Sequence, residues 1–148
     1  MEIVGLRGER VRLVPVDRTQ HLDNAIRWVN DPEVNRHIGF TGLHAIDWRN
    51  RRANSGLVIG DKEAWGRGYA TDAMRVRTKF AFETLNLHRV ESEALADNEA
   101  SQKALERVGY RREGVFRERF WSEGRWHDTI WYAILDEDYF ASREGARG

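Results

Sequence analysis

Ile59-Gly60-Asp61-Lys62-Glu63-Ala64-Trp65-Gly66-Arg67-Gly68-Tyr69-Ala70-Thr71 is the stretch that decides the fold. Ser55 to Ile59, just before the turn, reads as an apolar strand. Behind it, Ala70, Ala73, Met74, Ala81 and Leu85 keep helical spacing over Tyr69 to Thr84, with Arg77 interrupting the stripe. A glycine-rich turn therefore joins a strand to a long helix. The first N–H groups of a helix have no intrahelical partner, and with the helix dipole they favour an anion such as a phosphate or pyrophosphate. Gly66 and Gly68 let the backbone approach a ligand and take positive φ where needed, and Arg67 adds charge at the rim. A dinucleotide fingerprint needs a third glycine where this chain has Thr71, and a P-loop needs Gly-Lys-Ser/Thr after its loop, which is absent. Taken alone, the two glycines fit a plain strand-to-helix connection equally well.

Working outward, Glu9 to Val16 reads as a strand, and Asp17 as the N-cap of a helix carrying Leu22, Ala25, Ile26 and Val29. That helix stops near Asn30, before Asp31-Pro32. Gly42 to Ile46 is a short strand and Arg49 to Arg52 a polar turn. After the glycine turn come a strand over His88 to Ala96 and a helix over Asn98 to Val108, closed by Gly109. Tyr110 to Trp121 and Trp126 to Leu135 form a hairpin around Ser122-Glu123-Gly124-Arg125. A short helix over Asp136 to Ser142 ends the chain. Strands alternating with helices predict a mixed α/β layer fold.

Composition narrows the function classes. The 148 residues suggest one domain, with 24 basic and 24 acidic side chains and a formal net charge of zero. That balance argues against a nucleic-acid partner held by bulk charge. No cysteine is present, which excludes disulfides, thiolate metal sites and a cysteine nucleophile. The five histidines show no ligand spacing with carboxylates, so no metal site is expected. No signal peptide or membrane-spanning run is read, so the expectation is a cytoplasmic protein without a membrane partner.

Trp65-Gly66-Arg67-Gly68-Tyr69-Ala70-Thr71-Asp72-Ala73 resembles the coenzyme A pyrophosphate loop of the GNAT N-acetyltransferases. Leu87-His88-Arg89-Val90, Asn98-Glu99-Ala100-Ser101, Gly109-Tyr110 and Glu113-Gly114 follow as in the RimJ/RimL-like branch. Asp47-Trp48-Arg49-Asn50 and His127-Asp128 are similar to it too, and Trp65 is a marker of that branch. The resemblance covers nearly the whole chain. It implies one GNAT domain over residues 1–148, with a central mixed, mostly antiparallel sheet flanked by helices. Family members carry another helix and a strand before the strand at Gly42, whereas this chain runs from Thr41 straight into Gly42. A segment is thus expected to be missing between Thr41 and Gly42, with a true deletion as the alternative. Losing an inner part of a sheet would expose backbone edges and core side chains. The missing part would hold much of the acceptor-site wall.

The resemblance further implies acetyl-CoA as co-substrate and direct transfer of its acetyl group to a primary amine in a ternary complex. The acceptor would be a protein N-terminus or a small molecule. Leu57, Val58 and Ile59 would offer backbone groups to the pantetheine arm, which adds like a strand. Gly66, Arg67, Gly68, Tyr69, Ala70 and Thr71 would cradle the pyrophosphate. Asn98 would hydrogen-bond the cofactor near the thioester, with N-capping as its structural alternative. Ser101 lies one helical turn on and would protonate the departing thiolate, with a solvated helix serine as the alternative. A backbone N–H near Val58 to Ile59 would hold the oxyanion. The general base is not identified. Glu118 sits where some relatives place a catalytic glutamate, and Glu93, His44 and Asp128 are weaker candidates.

Of the six tryptophans, Trp131 is expected in the core, while Trp28, Trp48, Trp121 and Trp126 are candidates for an acceptor cleft, packing or a subunit contact. A homodimer is the expected assembly. Two other readings compete: a non-catalytic acyl-CoA-binding module, and a phosphate- or nucleotide-binding regulator that would prefer ATP or a dinucleotide.

Overall fold

A computed structural model describes residues 6–13, 39–60 and 62–146. A small hairpin, β1 (Leu6–Arg7) and β2 (Arg12–Leu13), is closed by a bond from the Gly8 N–H to the Val11 carbonyl at 2.9 Å. The main sheet is built from β3 (Gly39–Asp47), β4 (Arg52–Ile59), β5 (Arg89–Leu95), β6 (Arg111–Ser122) and β7 (Arg125–Leu135). Its spatial order is β3-β4-β5-β7-β6. Only β4 and β5 run parallel; the other neighbours are antiparallel. The parallel pair is joined through helix α1 (Tyr69–Lys79) and a π-helical turn (Phe80–Thr84), because parallel neighbours require a crossover. Helix α2 (Glu99–Val108) follows β5, and α3 (Asp136–Gly145) closes the chain.

The core lies between the helices and one face of the sheet. Alternation along β4 and β5 puts Ala53 and Val90 side by side on that face, 1% and 0% exposed. They meet Met74, Ala81 and Phe82 from the α1 region and Leu105 from α2. Tyr139 of α3 packs on Phe82 with ring centres 5.2 Å apart.

Several boundaries differ from the sequence reading. Glu9 to Val11 is a turn rather than strand, because its backbone N–H groups bind a side chain, Asp72, instead of a neighbouring strand. Of the expected first strand only Arg12 and Leu13, in β2, are strand; its residues 14–16, and the first helix with Trp28, lie outside the described residues. β3 begins at Gly39, and Thr41 and Gly42 are consecutive members of it, paired with Leu57 and Gly56. The long helix loosens to π geometry at Phe80. The last helix reaches Gly145. Trp131 is only half-buried, because its strand position points away from the helix-covered face, and it packs edge-on against Phe116.

Candidate functional site

The parallel pairing of β4 and β5 runs only from Arg52↔Arg89 to Ser55↔Ser92. Two hydroxyls mark its end: Ser55 Oγ donates to the Glu91 carbonyl at 2.8 Å and Ser92 Oγ to the Ser55 carbonyl at 3.4 Å. Beyond that point β4 stays with β3 through Leu57↔Thr41, Val58↔Phe40 and Ile59↔Gly39. β5 stays with β7 through Glu93↔Trp131 and Ala94↔Ile130. The two strands therefore splay into a wedge. Along each arm one edge is bonded to its outer neighbour, and the other, among the described residues, has no sheet partner. Such an edge can accept an extended chain through main-chain hydrogen bonds.

The glycine turn lies at the open mouth of this wedge, directly after β4. A 3₁₀ turn (Lys62–Ala64) leads into it, and Trp65 folds back to donate its indole N–H to the Ile59 carbonyl at 2.9 Å. Gly66 and Gly68 both adopt positive φ, +72° and +80°. Gly68 is the N-cap of α1, and the first helical bond runs from the Asp72 N–H to its carbonyl at 3.0 Å. The N–H groups before Asp72 are thus left without helical partners. A Cβ added at Gly66 would meet nothing within 4 Å, and one at Gly68 only the Arg10 side chain at 3.7 Å. Space in front of the turn, unspent donors and the positive helix end suit an oxyanion of phosphate size.

The family model for the acetyltransferase (GNAT) domain matches residues 35–111. The chain belongs to the GNAT acetyltransferase family. It is 37% identical to the probable N-acetyltransferase YjcK of Bacillus subtilis, over 90% of this chain and 74% of that protein. It is 30% identical to the spermidine N(1)-acetyltransferase of Vibrio cholerae, over 82% of this chain and 70% of that one. A crystal structure of a probable acetyltransferase is 38% identical with a TM-score of 0.64, covering 68% of this chain and 56% of that chain. The chain spans about 60% of the length of several curated relatives it matches.

Within this GNAT domain the expected site residues fall on three elements around the wedge mouth: β4, the turn that opens α1, and the start of α2. Leu57, Val58 and Ile59 form its β4 arm. Gly66, Arg67 and Gly68 are exposed in the turn, while Tyr69 and Ala70 are half-buried and Thr71 is buried in the first turn of α1. Asn98 is exposed and caps α2, its Oδ1 accepting the Ser101 N–H at 3.1 Å. Ser101 is half-buried one turn into that helix. Both stand at the end of β5, whose last carbonyls are held by Gln102 Nε2, 3.1 Å from Leu95 and 2.9 Å from Ala96. Among the base candidates, Glu118 sits at a bulge of the edge strand β6 with φ of +49°, and β7 separates it from β5. His44 and Asp128 are exposed, and Asp128 accepts the Glu118 N–H at 2.8 Å. Glu93 is the first residue of β5 beyond the divergence.

Sequence reading missed two residues that build the site. Asp72, 4% exposed, accepts the backbone N–H groups of Glu9, Arg10 and Val11 at 3.1, 2.6 and 2.8 Å. Burial pushes its carboxyl up, but these three bonds and the nearby Arg75 outweigh that and hold it below the usual carboxylate range. The clamp seats the β1–β2 turn on the start of α1. It also brings the Arg10 guanidinium over Gly68, where Nη1 donates to the Arg67 carbonyl at 2.8 Å. An aspartate in the first helical turn is a legible cap signal; its distant partner is not. The second residue is Arg77, 3% exposed. Its Nη1 donates to Thr41 Oγ1 and the Gly56 carbonyl at 2.8 and 2.9 Å, and its Nε has no hydrogen-bond partner among the described residues. It ties α1 to the strand pair where β4 leaves β5, which explains why a cation breaks the apolar stripe.

Among the described residues no group of three or more metal-ligating side chains is present, and no helix is long and apolar enough to cross a membrane.

Proposed function

We propose that the chain is an acetyl-CoA-dependent N-acetyltransferase of the RimJ/RimL-like branch, acting on a primary amine of a protein N-terminus or small molecule. The carrying observation is the β4/β5 wedge that opens onto a glycine turn with both glycines at positive φ. The wedge offers free strand edge for an amide-bearing arm, and the turn offers donors for its pyrophosphate; together they fit coenzyme A rather than a lone phosphate. Leu57, Val58 and Ile59 would hold the arm, with the Ile59 carbonyl already taken by Trp65. Gly66 to Thr71 would hold the pyrophosphate, and Arg10 adds a second guanidinium beside Arg67.

Bound there, acetyl-CoA would supply an activated acyl carbon: a C–N bond to the neutral amine forms, the C–S bond breaks, the nitrogen releases one proton to solvent, and the thiolate takes one that solvent returns to its donor. Ser101 is the hydroxyl assigned to give that proton, and Asn98 holds the start of α2 that positions it. Its Nδ2 group remains beside the cap bond as a donor. A homodimer is part of this reading. It is supported by the exposed edge strand β6, which with β7 shows Phe120, Trp121 and Trp126 to solvent, at least half exposed each.

Calorimetric titration with acetyl-CoA, and with ATP and NAD as controls, tests the reading. Binding of acetyl-CoA alone, followed by amine-dependent release of free thiol, is the expected result. Failure to bind acetyl-CoA refutes it.

A further inference from the structure

Glu93 stands at the closed end of the wedge, next to the last β4–β5 pair, Ser55↔Ser92. Val90 and Ala94 on β5 are buried under the helices, so the two-residue period turns Glu93 to the opposite face of the sheet, beside Trp131 of β7. Its carboxylate is held there. Thr129, 3% exposed, donates its hydroxyl to Glu93 Oε1 at 2.5 Å. Arg119 donates Nε to the same oxygen at 3.3 Å.

The surroundings of that carboxylate are aromatic. The Arg119 guanidinium carbon lies 5.3 Å from the centre of the Phe116 ring, and Phe116 meets Trp131 edge-on at 5.4 Å. One patch thus combines a carboxylate fixed by a buried hydroxyl, two aromatic rings in contact, and a cation that already rests over one of them, Phe116. This is the chemistry that recognises an alkyl ammonium: a charged acceptor for its N–H groups and ring faces for its charge. Arg119 is a stand-in for such a cation. Its side chain is 54% exposed, and an ion pair of that kind contributes little and is easily exchanged. Both contacts fall on Oε1, which leaves Oε2, among the described residues, to face an incoming group.

We propose that Glu93 is the acceptor-binding carboxylate, and that it selects cationic primary amines by taking their ammonium group beside the packed Trp131 and Phe116 rings at the apex of the wedge. The inference deepens the acetyltransferase reading and rests on it. The glycine turn marks the mouth and Glu93 the apex, so an arm anchored at the turn and laid along β4 leads towards this carboxylate.

The test uses the whole chain and two titrations. Acetyl-CoA is titrated first, into the native protein and into Glu93→Gln, Glu93→Asp and Arg119→Ala. 1,4-Diaminobutane is then titrated into each protein saturated with coenzyme A for its Kd, and its KM is read in a separate assay from thiol release with acetyl-CoA in excess. Unchanged acetyl-CoA affinity shows that a variant is folded and its cofactor site intact. For Glu93→Gln the amine Kd and KM are expected to rise about tenfold or more, the usual scale for one charge-assisted contact, with a smaller change in kcat. Glu93→Asp should recover part of the loss. Arg119→Ala should lower the amine KM, because a competing cation is removed. The inference is overturned if Glu93→Gln keeps the native amine KM, or if the native protein binds acetyl-CoA but no amine. Absence of acetyl-CoA binding by the native protein fells the function reading instead, and the inference with it.

Discussion

Replacing Gly68 with valine separates the fold from the cofactor site. Gly68 is the N-cap of α1 with φ of +80° and ψ of 6°. A Cβ at that position would meet only the aliphatic part and guanidinium of Arg10, at 3.7 Å, which is ordinary contact. The cost to the fold therefore comes from the backbone and not from collision. An L-residue in this left-handed region costs about 1–2 kcal/mol, with a β-branched side chain at the upper end. Against a typical stability of about 5–15 kcal/mol the fold survives, and at this chain length the melting temperature falls by about 2–4 °C per kcal/mol. Cofactor binding suffers far more. The branch crowds the Arg10 guanidinium beside the turn, and relief of the strain rotates the first N–H groups away from the anion. Hydrogen bonds to a charged group are worth about 1.5–3 kcal/mol each. Loss of two such bonds weakens acetyl-CoA binding by about 100-fold or more. Calorimetric titration beside a thermal melt reads both quantities on one preparation. Gly68→Ala should fall between the variant and the native protein. Native-like acetyl-CoA affinity in Gly68→Val would refute the placement of the anion site.

Three further outcomes follow from the same geometry. Ser101→Ala should slow thiol release with little change in acetyl-CoA affinity, since its N–H still meets the Asn98 cap; full activity removes the hydroxyl from the mechanism. Asp72→Asn turns an amide NH₂ towards the N–H groups of Arg10 and Val11, and denaturant titration should show a loss of about 2–4 kcal/mol. Because the folded Asp72 carboxyl is held low, its stabilisation is present above the unfolded value of about 3.9 and is lost as pH falls through the folded value. The Asn variant should lack that acid-side loss, and an unaltered acid limb would contradict the clamp. Arg77→Leu removes a buried cation that, among the described residues, has no carboxylate partner, and each group it bonds keeps another hydrogen bond: Thr41 Oγ1 donates to the Gly56 carbonyl at 2.8 Å, and the Tyr110 hydroxyl pairs with Thr78 Oγ1 at 2.9 Å. A melting temperature equal to or above that of the native protein is expected, and a fall of several degrees would show that its tie between α1 and the strand pair outweighs the cost of burying the charge.

Much of this architecture is legible along the chain because its signals are local. The glycine turn is read from Gly66 and Gly68 and from the stripe of Ala73, Met74 and Ala81, all of which act within a few residues. The Asn98 cap and the Gly109 stop are likewise short-range, and both appear in α2. The edges of elements are less legible. Glu9 to Val11 has the composition of a strand, yet its N–H groups turn to a carboxylate more than sixty residues away. Trp131 has the composition of a core residue, yet the register of β7 turns it to the other face.

The sequence by itself determined the order of strands and helices from Gly39 onward, the glycine turn at the head of α1 and the family, since each depends on hydrophobic period, backbone freedom at glycine, or side-chain chemistry at fixed spacing. Tertiary structure alone decided that β4 and β5 part after Ser55 and Ser92, that Asp72 seats Arg10 over the turn, that Arg77 is buried, and that Glu93, Thr129, Phe116, Arg119 and Trp131 meet on one patch. Those contacts join residues from different strands. Their energies depend on register and on which face each strand turns to the helices, and a chain carries neither until the sheet has formed.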